Sequence, residues 1–168
     1  LPERIPTLDG DRIALPAPSD GLAPTAAALL APYFAGSRLR DALPTICAAA
    51  FDFPTPLRAL HGAGDHLLEL FHGPTAAFKD VGARFLAEVM ARLRGPDDPP
   101  TTVLVATSGD TGAAVGAAFH RRPGFRVVIL YPDGRVSPRQ AHGLGSFGDN
   151  VRALRVAGSF DDCQRLVK

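Results

Sequence analysis

Lys79 is one of only two lysines in a chain with sixteen arginines, and the other, Lys168, is the last of the 168 residues. Wherever positive charge alone suffices, this sequence uses Arg. A guanidinium stays charged and cannot act as an amine nucleophile, whereas a lysine amine can lose its proton and form a Schiff base. A mid-chain lysine kept against that bias points to a need for the amine itself. The context agrees: Phe71-His72-Gly73-Pro74-Thr75-Ala76-Ala77-Phe78-Lys79-Asp80 is a polar turn running into an apolar, aromatic-flanked lysine. A surface lysine opening a helix is the plainer reading, and composition and context weigh against it.

A second group with chemical capacity is Thr107-Ser108-Gly109-Asp110-Thr111-Gly112. Small residues let backbone approach a ligand, and exposed N–H groups at a helix start favour an anion, either a carboxylate or a phosphate. Ser108 and Thr111 add hydroxyl donors. Simple N-capping by Ser108 or Asp110 is the competing explanation. No Walker lysine follows, which excludes a P-loop. Gly143-Leu144-Gly145-Ser146-Phe147-Gly148 spells G-x-G-x-x-G, but it follows a short helix and leads into a strand, the reverse of a dinucleotide fingerprint. Ser108 lies in no G-x-S-x-G elbow. The histidines at 61, 66, 72, 120 and 142 include no pair at metal-ligand spacing, so no metal site is expected.

The elements that must hold these residues follow from patterning. A short helical stretch is expected near Thr25–Tyr33 in a Pro- and Ala-rich opening. A stronger helix should start at Ser37, with Leu39, Leu43, Ile46 and Cys47 on one face and Pro44 as a kink or break. Phe51–Pro56 reads as a loop and His66–Phe71 as a strand. A helix from about Phe78 to Arg94 presents Val81, Phe85, Val89 and Leu93 as its buried stripe. Gly95–Pro100 is the clearest break and a hinge candidate. Then come a strand at Thr101–Ala106 read as buried on both faces, a helix from Thr111 to about Arg121, and a buried strand at Arg126–Tyr131. A short helix opening at Ser137, a strand at Val151–Val156 and a helix capped by Ser159 with Leu166 and Val167 on its core face complete the pattern. Alternating strands and helices imply an α/β fold with a parallel sheet. Residues 1–98 are taken as an N-terminal segment with the lysine helix, and 99–168 as the start of a βαβ domain.

Hydrophobic content of 46% and charged content of 21% allow an ordinary globular core. Net charge is +1 with the signs interspersed, which argues against a nucleic-acid partner. Arg121, Arg122 and Arg126 form the densest basic cluster and read as a solvated helix end. Cys47 and Cys163 match no metal or C-x-x-C spacing and read as reduced, partly buried thiols of a cytoplasmic protein. No stretch is apolar and long enough for a membrane span. The opening without Met and the ending inside a helix lead to the expectation of a piece of a longer enzyme.

His72 to Asp80 and Ala106 to Gly112 together resemble the threonine synthase family, and the resemblance runs through Tyr131–Gln140, Asn150-Val151 and Phe160–Lys168. It implies a pyridoxal-phosphate enzyme of the tryptophan-synthase-β-like fold (fold type II), α/β with a parallel sheet and incomplete in this chain. It implies that Lys79 carries pyridoxal 5'-phosphate, with Phe78 beside the ring, and that Ser108, Gly109, Asp110, Thr111 and Arg135 bind the substrate. The implied reaction turns O-phospho-L-homoserine and water into L-threonine and phosphate, with a small amino-acid phosphate as the partner molecule. Asp133 stands where the family usually has Lys, and Ala141–Phe147 is richer in Gly than the family. The family's loop for the cofactor phosphate lies further along than residue 168. Another member of the superfamily, such as a threonine or serine dehydratase, would share the lysine but lack the Phe71–Thr75 lead-in. A non-catalytic relative serving as a binding module would not need Lys79.

Overall fold

In the computed structural model, residues 5–6, 15–17, 20–62 and 64–168 are described. Much of the Pro-rich opening lies outside them. The first helix, α1 (Leu22–Leu30), runs into a 3-10 turn at Ala31–Phe34. Next come α2 (Leu43–Ala50), an antiparallel pair β1 (Leu57–Ala59) and β2 (His66–Leu68), and α3 (Lys79–Leu93). The C-terminal half alternates: β3 (Thr101–Ala106), α4 (Asp110–Phe119), β4 (Phe125–Pro132), α5 (Pro138–Gly145), β5 (Val151–Val156) and α6 (Phe160–Val167). Strands β3, β4 and β5 form a parallel sheet in that order, with Thr101 opposite Phe125 and Val127 opposite Val151. The expected α/β parallel-sheet class is what the chain adopts.

Two apolar clusters organise the molecule, and α3 belongs to both. Ala83 and Ala87 pack with Ala114, Ala118 and Phe119 of α4 and with Val127, Ile129 and Val151 of the sheet. Val81 and Phe85 pack instead against α1 and α2, where Phe85 stacks on Phe51 with ring centroids 5.9 Å apart. The sequence pattern placed the buried stripe on Val81, Phe85, Val89 and Leu93. In the structure the fully buried apolar positions are the alanines, and Leu93 is 38% exposed. Small residues on both α3 and α4 let the two helices approach closely, so the large side chains fall to the shoulders of the contact.

The helix expected from Ser37 begins only at Leu43, with Pro44 in its first turn, where a missing N–H costs nothing. Residues 37–42 form successive turns, yet Leu39, Leu43, Ile46 and Cys47 are all buried as the pattern required. The far end of α2 has no polar cap of its own. Arg84 of α3 reaches it, donating to the carbonyls of Ala49 and Ala50 at 2.8 and 2.7 Å and to Asp52 at 2.6 Å. Strand β2 is shorter than expected, and its partner β1 has no clear pattern in the sequence. Strand β3 alternates rather than being buried throughout: Val103 and Val105 pack against the core shared with α3 and α4, while Leu104, on the opposite face, is 48% exposed. Cys163, not Leu166, is the buried residue of α6. Both cysteines are free and fully buried, and burial pushes both thiols above their ordinary range.

Polar ties close the sheet unit. Arg94 spans the Gly95–Pro100 loop, donating to the carbonyls of Asp98 and Pro99 and to the Thr101 hydroxyl. Asn150 donates to the carbonyls of Phe119 and Phe125 and accepts from the Arg121 N–H, joining α4, β4 and β5. Arg122 is no solvated helix end: with Arg92 it pairs with Glu88, which is 8% exposed, and so links α3 to the end of α4.

Burial opposes ionisation of Glu88, but hydrogen bonds from Arg122 and Arg92 more than offset it and hold the carboxyl below its ordinary 4.5. The unfolded chain therefore takes up this proton first as pH falls. The stabilisation is complete above pH 4.5 and is lost as pH drops through the folded-state value. Glu88→Gln is expected to cost about 1–3 kcal/mol at neutral pH, because two guanidinium groups lose a charged partner. Urea unfolding across pH 3–6 checks this. The variant should lose less of its stability on acidification than the native chain, and an unchanged acid slope would show that Glu88 is not the titrating link.

Candidate active site

Lys79 is the first residue of α3, and the residues around it explain how a flexible side chain obtains a fixed base. Asp80, next in the chain, is fully buried. Its carboxylate turns back and accepts from the Thr75 N–H at 2.9 Å and the Thr75 hydroxyl at 2.7 Å. The turn from Gly73 to Phe78 is thus closed onto the helix that follows it. Gly73 lies so close to this carboxylate that a Cβ there would overlap it, which is why the turn needs Gly at that point. The Lys79 amine lies 4.0 Å from the Phe78 ring centroid, and that ring is 60% exposed.

On the other side stands the turn after β3. Parallel strands end on the same edge, so the β3–α4 and β4–α5 loops come together there. Ser108 and Asp110 do not cap α4. The buried hydroxyl of Thr107 accepts from the Gly109 N–H at 3.0 Å and the Gly112 N–H at 2.8 Å. Gly109 has φ 143°, a conformation that residues with a Cβ rarely adopt. This leaves Ser108 exposed at the head of α4, with the loop backbone held from beneath.

Two grooves flank that loop. One, of about 520 Å³, is lined by Phe78, Lys79, Val81 and Leu86 together with Thr111 and Val115 of α4. The other, of about 1000 Å³, brings Thr75 and Ala76 to Gly109, Asp110, Arg139 and Gln140. Lys79, Phe78 and Thr111 therefore share one groove, while Gly109 and Asp110 face the second. Arg135 is exposed in the turn after β4 and lines neither of the two; Arg139, one turn on, does line the second. His72 pairs with Glu69 at 2.7 Å. The Gly143–Gly148 stretch is the end of α5 and the turn that follows it, and no cluster of metal-binding side chains occurs among the described residues. No helix there is long and apolar enough to cross a membrane.

Sequence reasoning missed Thr107, Gln140 and the role of Asp80. Thr107 was legible as the residue between strand and helix, but a hydroxyl acting behind the cap position has no fixed spacing rule. Gln140 showed one signal, the Ser137-x-x-Gln140 capping box, which explains its tie to Ser137 and not its reach to Asp110.

Residues 50–168 match the family described as "Pyridoxal-phosphate dependent enzyme". Threonine synthase of Escherichia coli is 50% identical over 120 residues, which are 71% of this chain and 27% of that protein. Threonine synthase of Haemophilus influenzae is 42% identical over 168 residues, the whole of this chain and 38% of the relative. Among solved structures, threonine synthase from Escherichia coli superposes with a TM-score of 0.85 at 38% identity, covering 99% of this chain and 38% of that one. The pyridoxal-phosphate-bound threonine synthase from Brucella melitensis gives 0.82 at 38% identity, covering 99% and 37%. The chain thus spans well under half the length of these relatives.

Thr107→Val keeps the volume and removes the acceptor for two buried N–H groups. It is expected to cost about 1–3 kcal/mol in urea unfolding. Amide exchange should speed at Gly109 and Gly112 before it does in the sheet. Uniform loss of protection would instead assign the effect to core packing.

Proposed function

Since the chain belongs to the pyridoxal-phosphate dependent enzyme family, we propose that it carries the lysine-bearing part of a threonine synthase, a lyase converting O-phospho-L-homoserine and water to L-threonine and phosphate. The observation that carries this reading is the shared groove of Lys79 and Thr111, with the amine on one wall and the head of α4 on the other. Threonine synthases of Escherichia coli and Haemophilus influenzae, alike in sequence over most or all of the chain, support the choice within the family.

The residues present fit pyridoxal phosphate. Lys79 is half-buried at the edge of an apolar groove, beside the exposed aromatic face of Phe78, and these are the surroundings that a planar ring with an aldehyde requires. When bound, the cofactor supplies an electron sink for the bonds at the amino-acid carbons. Lys79 would hold it through the amine, and Phe78 would lie against the ring. Between substrate and product, phosphate leaves Cγ and a hydroxyl arrives at Cβ. Cβ must therefore give up a hydrogen and Cγ gain one, with the Cα hydrogen removed and returned on the way, and the Lys79 amine, once free, is the base positioned to move protons there.

Substrate binding falls to the other wall. Thr111 offers a hydroxyl donor on that wall and Ser108 a second at the exposed head of α4, and Gly109 lets the backbone there come close to a carboxylate. The Asp110 charge disfavours a doubly charged phosphate at the same place. The phosphate end needs cations. Arg139 lines the adjoining groove, and Arg135 stands at the start of the same segment.

Lys79→Arg retains charge but not the amine, and it is expected to abolish threonine formation while leaving the fold intact by circular dichroism. Borohydride treatment in the presence of pyridoxal phosphate should leave a permanent adduct on Lys79 in the native protein and none in the variant. Appreciable threonine formation by the variant would remove the basis of this assignment.

Thr111→Val, which deletes one hydroxyl at nearly constant volume, should raise KM or lower kcat for O-phospho-L-homoserine by about 1–3 kcal/mol. Cofactor absorbance should stay unchanged. Loss of cofactor with fold retained would move the loop from the substrate to the cofactor phosphate.

A further inference from the structure

Gln140 does two jobs with one side chain. Its side-chain carbonyl oxygen accepts from the Ser137 N–H at 3.0 Å, while its backbone N–H donates to the Ser137 hydroxyl at 3.2 Å, closing the capping box of α5. That fixes the rotamer. The side-chain NH2 then points across to α4 and donates to Asp110 Oδ1 at 2.9 Å. The contact is close on the backbone side too, since a Cβ on Gly109 would run into the Gln140 amide.

Asp110 is the first residue of α4, so its carboxylate stands at the start of that helix, where Thr107 takes up the Gly109 and Gly112 N–H groups and those of Asp110 and Thr111 lie nearest the carboxylate. A carboxylate there has two stable uses: it can fold back on those N–H groups, or it can be held away by another donor. In this structure it is held by Gln140. From this geometry we propose that Gln140 is a positioning residue, a latch that keeps the Asp110 carboxylate off the head of α4 and so leaves that site open to the carboxylate of an amino-acid substrate. The inference rests on the substrate-binding reading given above.

Without the latch, Asp110 competes with the substrate from within the site. The loss should appear as weaker substrate binding, not as slower chemistry or weaker cofactor binding. It should also depend on the charge of Asp110, which a purely structural role of Gln140 in α5 does not. Gln140→Leu in the holoenzyme is expected to raise KM for O-phospho-L-homoserine about tenfold with kcat within about twofold, the size of one hydrogen bond's contribution to binding. In an Asp110→Asn background, where no internal anion competes, the same change should raise KM by less than about threefold.

A second variant guards against misfolding. Gln140→Glu keeps the length and the acceptor for Ser137 but sets a carboxylate against Asp110. Its KM penalty should grow as pH rises from 5 to 8, and Asp110→Asn should relieve it. Equal KM factors for Gln140→Leu in both backgrounds, or no change in KM, would overturn the latch, as would a pH-independent penalty in the second variant. Failure of the native holoenzyme to turn over O-phospho-L-homoserine counts against the reaction and not against the latch. The latch is then judged by the same comparison of backgrounds, read as the L-threonine concentration that half-saturates the change in cofactor absorbance. Equal factors there overturn it as well.

Discussion

The structure depends on one buried carboxylate. Asp80 follows Lys79 directly, and its side chain accepts from both the N–H and the hydroxyl of Thr75. A charge taken fully out of water is costly unless every lone pair has a good donor, so the turn and the helix start cannot separate without exposing that cost. The amine of Lys79 thereby sits on a joint that is closed from the inside. The helix behind it is fixed on two sides, by the alanine face against α4 and the sheet, and by Val81 and Phe85 against the N-terminal helices.

The opposite wall is built by different means. Parallel strands bring the β3–α4 and β4–α5 loops to one edge, and each loop is shaped by a hydroxyl: Thr107 under the first, Ser137 at the second. Side chains free of structural duty then face outward, among them Ser108, Thr111 and Arg139. This separation of supporting from presenting residues gives a site geometry that does not depend on the ligand to form it.

Much of this could be read from the chain. The lysine stood out through the Arg bias, and the regular alternation after Pro100 gave β3, α4, β4, α5 and β5 nearly in place. Helices capped by Ser137 and Ser159 followed from side chains whose spacing has a mechanism. The errors share a cause. The stripe on α3 was drawn through its large residues because hydrophobicity rewards size, whereas close helix packing selects Ala83 and Ala87. Strand β3 reads as buried on both faces, but only the face of Val103 and Val105 is packed, because no layer fully covers Leu104 on the other. Thr107, Asp80 and Gln140 work through contacts fixed by tertiary structure, or by local turns without a periodic signature, so composition and spacing could not assign them.

Arg84 ties the stability of one helix to the docking of another. Helix α2, Leu-Pro-Thr-Ile-Cys-Ala-Ala-Ala, ends on carbonyls held by a guanidinium more than thirty residues away. An eight-residue helix is marginal in water even with favourable ends. Its last carbonyls have this partner only while α3 is docked, so the stability of α2 is tied to that of α3. Hydrogen exchange at the Phe51 amide, bonded to the Cys47 carbonyl, would then be governed by the detachment of Arg84, and the N-terminal layer would open ahead of the sheet as a separate cooperative unit.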